Sequence, residues 1–161
     1  MTTLFFQAVR DTLGTLLADP KYLGAQPGII AALHTWSQTL VLHPHLHCLV
    51  TGGGHTPAGT WVAVRHGFLL PMRVVMAVLR GKMGDALRQT VARGALALPE
   101  PLRPQQFVHL LHRLGHPTQT PWHVRIMERY PHGAGVVTSL ARSLRGAPSR
   151  TPGWWPGMGR A

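Results

Sequence analysis

Acidic side chains are the scarcest chemistry in this chain: Asp11, Asp19, Asp85, Glu100 and Glu128 are its five carboxylates in 161 residues. That scarcity argues against hydrolases whose metal is held by several carboxylates on a barrel, a fold needing about 250 residues. Cysteine is nearly as rare. Cys48 stands alone, which rules out an intrachain disulfide and any multi-cysteine zinc module within these residues. No apolar run approaches the roughly 20 residues of a spanning helix. Residues 1–10 lack the basic start and long apolar stretch of a signal peptide, so a cytoplasmic location is expected.

What remains is apolar and basic. Hydrophobic residues make up 45% of the sequence, enough for one globular domain. Lys plus Arg number 16, for a formal charge of +11. Apart from Lys21 and Lys82 the cations are all arginine, the side chain whose planar fork suits phosphate. A domain so charged attracts polyanions by counterion release. An arginine-rich coding bias is the alternative source of that charge.

Periodicity divides the chain. Phe5, Val9, Leu13, Leu16 and Leu17 recur at helical spacing over residues 3–18, and Asp19-Pro20 ends the run. Residues 29–42 are apolar and β-rich enough for a strand, with a helix as the alternative. Residues 45–51 read as a second short strand closed by Gly52-Gly53-Gly54, and Trp61–Val64 as a third. A helix is expected over 69–93, with Met72, Val75, Met76, Leu79, Met83 and Leu87 on one face and Arg73, Arg80 and Arg88 away from it. Another is expected over 104–114, with Gly115 as its C-cap. Residues 122–128 alternate as a strand, Pro131–Gly135 form a turn, and residues 136–145 make a short basic helix. From Ala147 to Ala161 proline and glycine break every pattern, as in an unstructured tail.

The sharpest motif is His43-Pro44-His45-Leu46-His47-Cys48. Alternate residues of a strand face one way, so His45 and His47 would project together, with Cα atoms about 6.7 Å apart. Two imidazoles so placed can meet one cation at bonds of about 2.1 Å, while Leu46 faces the opposite side. The chain holds 11 histidines, so an incidental pair of surface or core histidines is the competing reading. Imidazole donors favour Zn, Ni or Cu, whereas Mg prefers oxygen. A third ligand could be Gln38, His34 or His43.

The runs Leu33–Gln38, His43–Val50 and Gly52–Gly54 closely resemble the rolling-circle, two-tyrosine HUH transposases of bacterial insertion sequences. Asp19–Ala25, Phe68–Pro71, Arg80–Lys82, Trp122–Arg129 and Gly135–Thr138 extend the resemblance in order across roughly residues 4–146. The resemblance implies an α+β fold, an HUH endonuclease-like, mainly antiparallel sheet with flanking helices, occupying residues 1–146. It implies that His45 and His47 hold a divalent metal, Mg or Mn, that polarises a scissile phosphate. The partner it implies is single-stranded DNA or insertion-sequence ends, with no membrane and no small-molecule cofactor. Lys82, Arg142 and Arg145 are the candidate DNA-binding cations. The family also carries a cysteine-rich zinc segment upstream, for which this chain has no residues.

In the family two tyrosines one helical turn apart attack the phosphate in turn. The matching positions here are Ser139 and Ser143, in Ser139-Leu140-Ala141-Arg142-Ser143. The expectation is therefore a transposase-derived DNA-binding domain that keeps its metal-binding histidines and has lost strand cleavage. A non-enzymatic basic nucleic-acid-binding fragment or relic is the alternative. Tyr130 is read as a strand-end aromatic rather than a substitute nucleophile.

Overall fold

The computed structural model describes residues 2–36, 42–65, 70–96, 98, 100–116, 122–127, 130 and 133–144. The order is α1 (Thr2–Ala18), β1 (Gln26–Trp36), β2 (Leu42–His55), β3 (Trp61–Ala63), α2 (Met72–Ala92), α3 (Pro104–Gly115) and α4 (Gly133–Leu144). The strands form one antiparallel sheet in the order β1-β2-β3, with helices beside it, so the expected α+β class holds. Two compact units are distinguishable: Met1–Gly28 with Val50–Arg129, and the described residues of Ile29–Leu49 with those of Tyr130–Ala161.

In the first unit α1 packs on α2, and α2 on α3. Ala8, Thr12 and Leu16 follow one another at turn spacing on the buried side of α1, joined by Leu17. The one polar member is satisfied, because Thr12 Oγ1 donates to the Ala8 carbonyl at 2.7 Å. Helix α1 ends where Pro20 removes a backbone donor. The Asp19 side chain accepts from Lys21 N at 2.8 Å, and its carbonyl accepts from the N–H groups of Tyr22, Leu23 and Gly24. This turn delivers Leu23 and Ala25 to a core with Leu16, Leu17, Leu70 and Val75. A second core joins Leu87 to Phe107 and Leu111.

The helix expected over 104–114 is borne out, and Gln106 caps its start by accepting from Arg103 N at 2.8 Å. Gly115 is not its C-cap: it lies inside α3, and His116 takes that position. The left-handed cap falls after α2 instead. Gly94 has φ +66, its N–H bonds to Val91 O, and Ala95 N–H bonds to Thr90 O, the paired bonds of a Schellman motif. Along α2, Val75, Leu79 and Leu87 are buried as expected, but Met72 is exposed. Arg80 is half-buried, with its Nε shielded from solvent, and belongs to neither core cluster.

The strand bounds differ from those the sequence suggested: of residues 29–42, residues 29–36 belong to β1, 37–41 lie outside the described residues and Leu42 belongs to β2, while β3 ends at Ala63. Strand β1 begins at Gln26, and β2 runs through all three glycines to His55 instead of stopping at them. Close backbone approach explains why. A Cβ on Gly54 would lie 2.6 Å from the Gln26 carbonyl, and one on Gly53 would lie 2.5 Å from Val62 O. These glycines make room for neighbouring strands rather than closing a strand. Strand β3 pairs with β2 as Gly53↔Ala63, Gly54↔Val62 and His55↔Trp61.

Two expected elements differ. Residues 122–127 form no strand. Their alternation survives only in Trp122, whose Nε1 donates to Leu114 O at 3.0 Å, and in Val124, which packs on the first core. No strand among the described residues pairs with them, so the period seen in the sequence records packing without a ladder. Of the turn expected over Pro131–Gly135, residues 133–135 belong instead to α4, and 131–132 lie outside the described residues. Gly135 is packed under the Tyr130 ring, where a Cβ would come within 2.7 Å of Cδ1. The expected tail, Ala147–Ala161, lies outside the described residues.

Candidate metal centre

The second unit contains His34, His43, His45 and His47. Strand β1 carries His34, and β2 carries His43, His45 and His47. One ring nitrogen from each of His34, His45 and His47 lies within 4.8 Å of the others. The ring centroids are 4.3 Å apart for His34–His47, 5.3 Å for His34–His45 and 4.9 Å for His45–His47. The two histidines two residues apart on β2 thus meet a third from the paired strand. Three nitrogens on bonds of about 2.1 Å at tetrahedral angles stand about 3.4 Å apart, so modest ring movement would bring them onto one ion. The donor set fits a divalent metal.

His45 is held from behind. Its Nδ1 lies 2.7 Å from the His43 carbonyl oxygen. That oxygen can only accept, so the proton is on Nδ1 and the lone pair on Nε2. A ligand histidine is oriented in this way when a backbone carbonyl takes its other ring proton. The His43 side chain is exposed and is not one of the converging three, although its ring stands 5.1 Å from that of His45. His43 therefore meets the site through its backbone, a role the sequence reading did not assign.

Burial, then the charges of His34 and His45, lower the pKa of His47 from its ordinary 6.5. The shift favours the neutral form of His47, the form a metal requires. Burial alone raises the Cys48 thiol, leaving it a poor thiolate next to the site.

Of the three candidates for a third ligand, the fold brings His34 to the pair, and Gln38 lies outside the described residues. Ser139 and Ser143 are four residues apart on α4, one helical turn. Arg142 belongs to the same helix, and Arg145 lies outside the described residues. Lys82 is on α2 in the other unit, half-buried.

The Y2_Tnp family model, described as "Putative transposase", matches residues 28–150. The chain belongs to this transposase family. One relative of this transposase-family chain is the "Putative transposase y4qJ" of Sinorhizobium fredii (strain NBRC 101917 / NGR234), 46% identical over 101 residues, which are 62% of this chain and 25% of the relative. Another is the "Transposase for insertion sequence element IS801" of Pseudomonas savastanoi pv. phaseolicola, 30% identical over 148 residues, 86% of this chain and 34% of the relative. The transposase-family chain thus spans a quarter to a third of these curated relatives. No solved structure matches it. No helix among its described residues is long and apolar enough to cross a membrane.

Proposed function

We propose that this chain is the DNA-binding, metal-holding part of a rolling-circle insertion-sequence transposase, and that it no longer cleaves DNA. The observation that carries the reading is the convergence of His34, His45 and His47 on one point of a transposase-family sheet. His45 and His47 are the paired ligands and His34 the third. These residues would hold a divalent ion, Mn or Mg, which would supply polarisation of a phosphate oxygen of bound single-stranded DNA. The all-imidazole donor set makes Mn the better fit of the two, because Mg prefers oxygen ligands. The chain's own part is to fix the Nε2 lone pair of His45 through the His43 carbonyl and to keep His47 neutral.

Cleavage would need a hydroxyl able to attack phosphorus, forming an O–P bond to the protein and releasing a 3′-hydroxyl. Serine ionises far less readily than a phenol of pKa about 10. Helix α4 contains no histidine, carboxylate or lysine that could take the proton. Ser139 and Ser143 therefore stand at the nucleophile positions without the chemistry.

The test is incubation with single-stranded DNA and Mn, followed by denaturing electrophoresis. The chain as it stands should give no covalent adduct. Ser139→Tyr with Ser143→Tyr should give a DNA–protein adduct that is lost again with His45→Ala. An adduct from the unaltered chain would overturn the inactivity.

A further inference from the structure

We propose that Trp61 is a stacking platform for a base of single-stranded DNA, built onto the β2–β3 hairpin. The inference rests on the DNA-binding reading and adds a site to it. Strand β3 alternates in burial. Val62 of β3 and Val64 just beyond it pack on the first core together with Val50 of β2, so Trp61 and Ala63 face the other way and are exposed, and Arg65, past the end of the strand, is exposed as well. Trp61 belongs to neither core cluster, and 51% of it is open to solvent.

An exposed indole on a flexible stem would mean little. This one is held on two sides. Its Cζ2 and Cε2 atoms lie over Gly53, where a Cβ would come within 2.6 and 2.8 Å of them. The His55 ring, directly across the ladder, stands 5.1 Å from it with the planes 71° apart. His55 is itself fixed, with its Nδ1 3.2 Å from the Gly59 carbonyl. Gly59 has φ +79 in a turn closed by Thr56 and Thr60, a conformation that favours glycine. The glycine run, the turn and His55 together hold a half-open aromatic surface in place. Little conformational freedom is then lost when a flat ligand lands on it.

Charge selects the ligand. Between Asp19 and Asp85 the sequence contains no carboxylate, so this sheet presents no acidic side chain to repel a phosphate. Arg65 follows Trp61 by four residues and is exposed, and the chain as a whole carries +11. A pinned aromatic in an acid-free, cationic setting fits an unpaired base with its phosphate. A duplex would not offer the face of a base, because its bases already stack on one another.

The experiment measures anisotropy of a labelled oligo(dT) and of an oligomer of equal length made of abasic residues, titrated with the full chain. Trp61→Leu should weaken oligo(dT) binding about tenfold, and Trp61→Phe should keep most of the affinity. The abasic oligomer should bind Trp61→Leu and the parent alike. Unchanged melting of Trp61→Leu separates a lost contact from a lost fold. Equal oligo(dT) binding by Trp61→Leu and the parent overturns the platform alone, and so does an equal loss on the abasic strand. A full chain that binds no single-stranded DNA overturns the DNA-binding reading and the platform with it.

Discussion

The proton on His45 Nδ1 is spoken for by the His43 carbonyl, and this separates two histidines that the sequence left equivalent. His43 contributes its backbone, so His43→Ala should leave metal affinity within about threefold of the parent. His34 contributes its ring, so His34→Ala should cost tenfold or more, at least what loss of an outer-shell partner costs a metal site, roughly 10–100-fold. Isothermal calorimetry with Mn distinguishes the two, and equal losses would remove His34 from the ligand set. The lowered pKa of His47 sets the pH dependence. Its folded value lies below the unfolded 6.5, so native protein binds fewer protons there than unfolded chain once the pH falls below 6.5. Stability from this group is intact above 6.5 and declines as the pH falls through the folded value. Mn affinity should fall on acidification, as protons compete with the metal for His47.

Between residues and elements the sequence was legible where side-chain period and backbone agreed. Leu16 and Leu17 of the stripe expected on α1 are buried, because a helix that packs on a neighbour must bury one stripe, but Phe5, Val9 and Leu13 are only half-buried and the spacing passed over Ala8 and Thr12. The His45–His47 pair was legible for the same reason, as strand alternation leaves no other placement. The glycine run was misread: three glycines signal either a turn or close backbone approach, and only the neighbours of Gly53 and Gly54 decide between them. Residues 122–127 were misread because alternation reports which side chains find a core, not whether a strand finds a partner. Which of Gln38, His34 and His43 joins the pair depends on strand register, a long-range property no local window carries. The hairpin makes its own prediction. Gly59 adopts φ +79, so Gly59→Val should lower stability by about 1–2 kcal/mol. The same change should weaken oligo(dT) binding, as His55 loses its carbonyl anchor. Leu111→Ala in the second core should cost about 2–5 kcal/mol in denaturant melts and leave the affinity of the folded fraction for DNA unaltered.

For the whole molecule the decisive quantity is how its charge is used. A net +11 with no carboxylate between Asp19 and Asp85 allows two outcomes that salt separates. If phosphates are the main contact, log affinity for single strands falls linearly with log salt, with a slope near −0.7 per phosphate neutralised. About five such contacts would weaken binding roughly 100-fold between 50 and 200 mM salt. Stacking on Trp61 adds a contribution that releases no counterions, so Trp61→Leu should shift the line downward without changing its slope. Arg65→Ala should instead make the slope shallower by about 0.7. Parallel lines for Trp61→Leu and a flatter one for Arg65→Ala would assign the aromatic and the cation to different parts of the same nucleotide. Affinity indifferent to salt would mean that the arginines are a compositional accident, and that whatever binds this sheet is not held by phosphate.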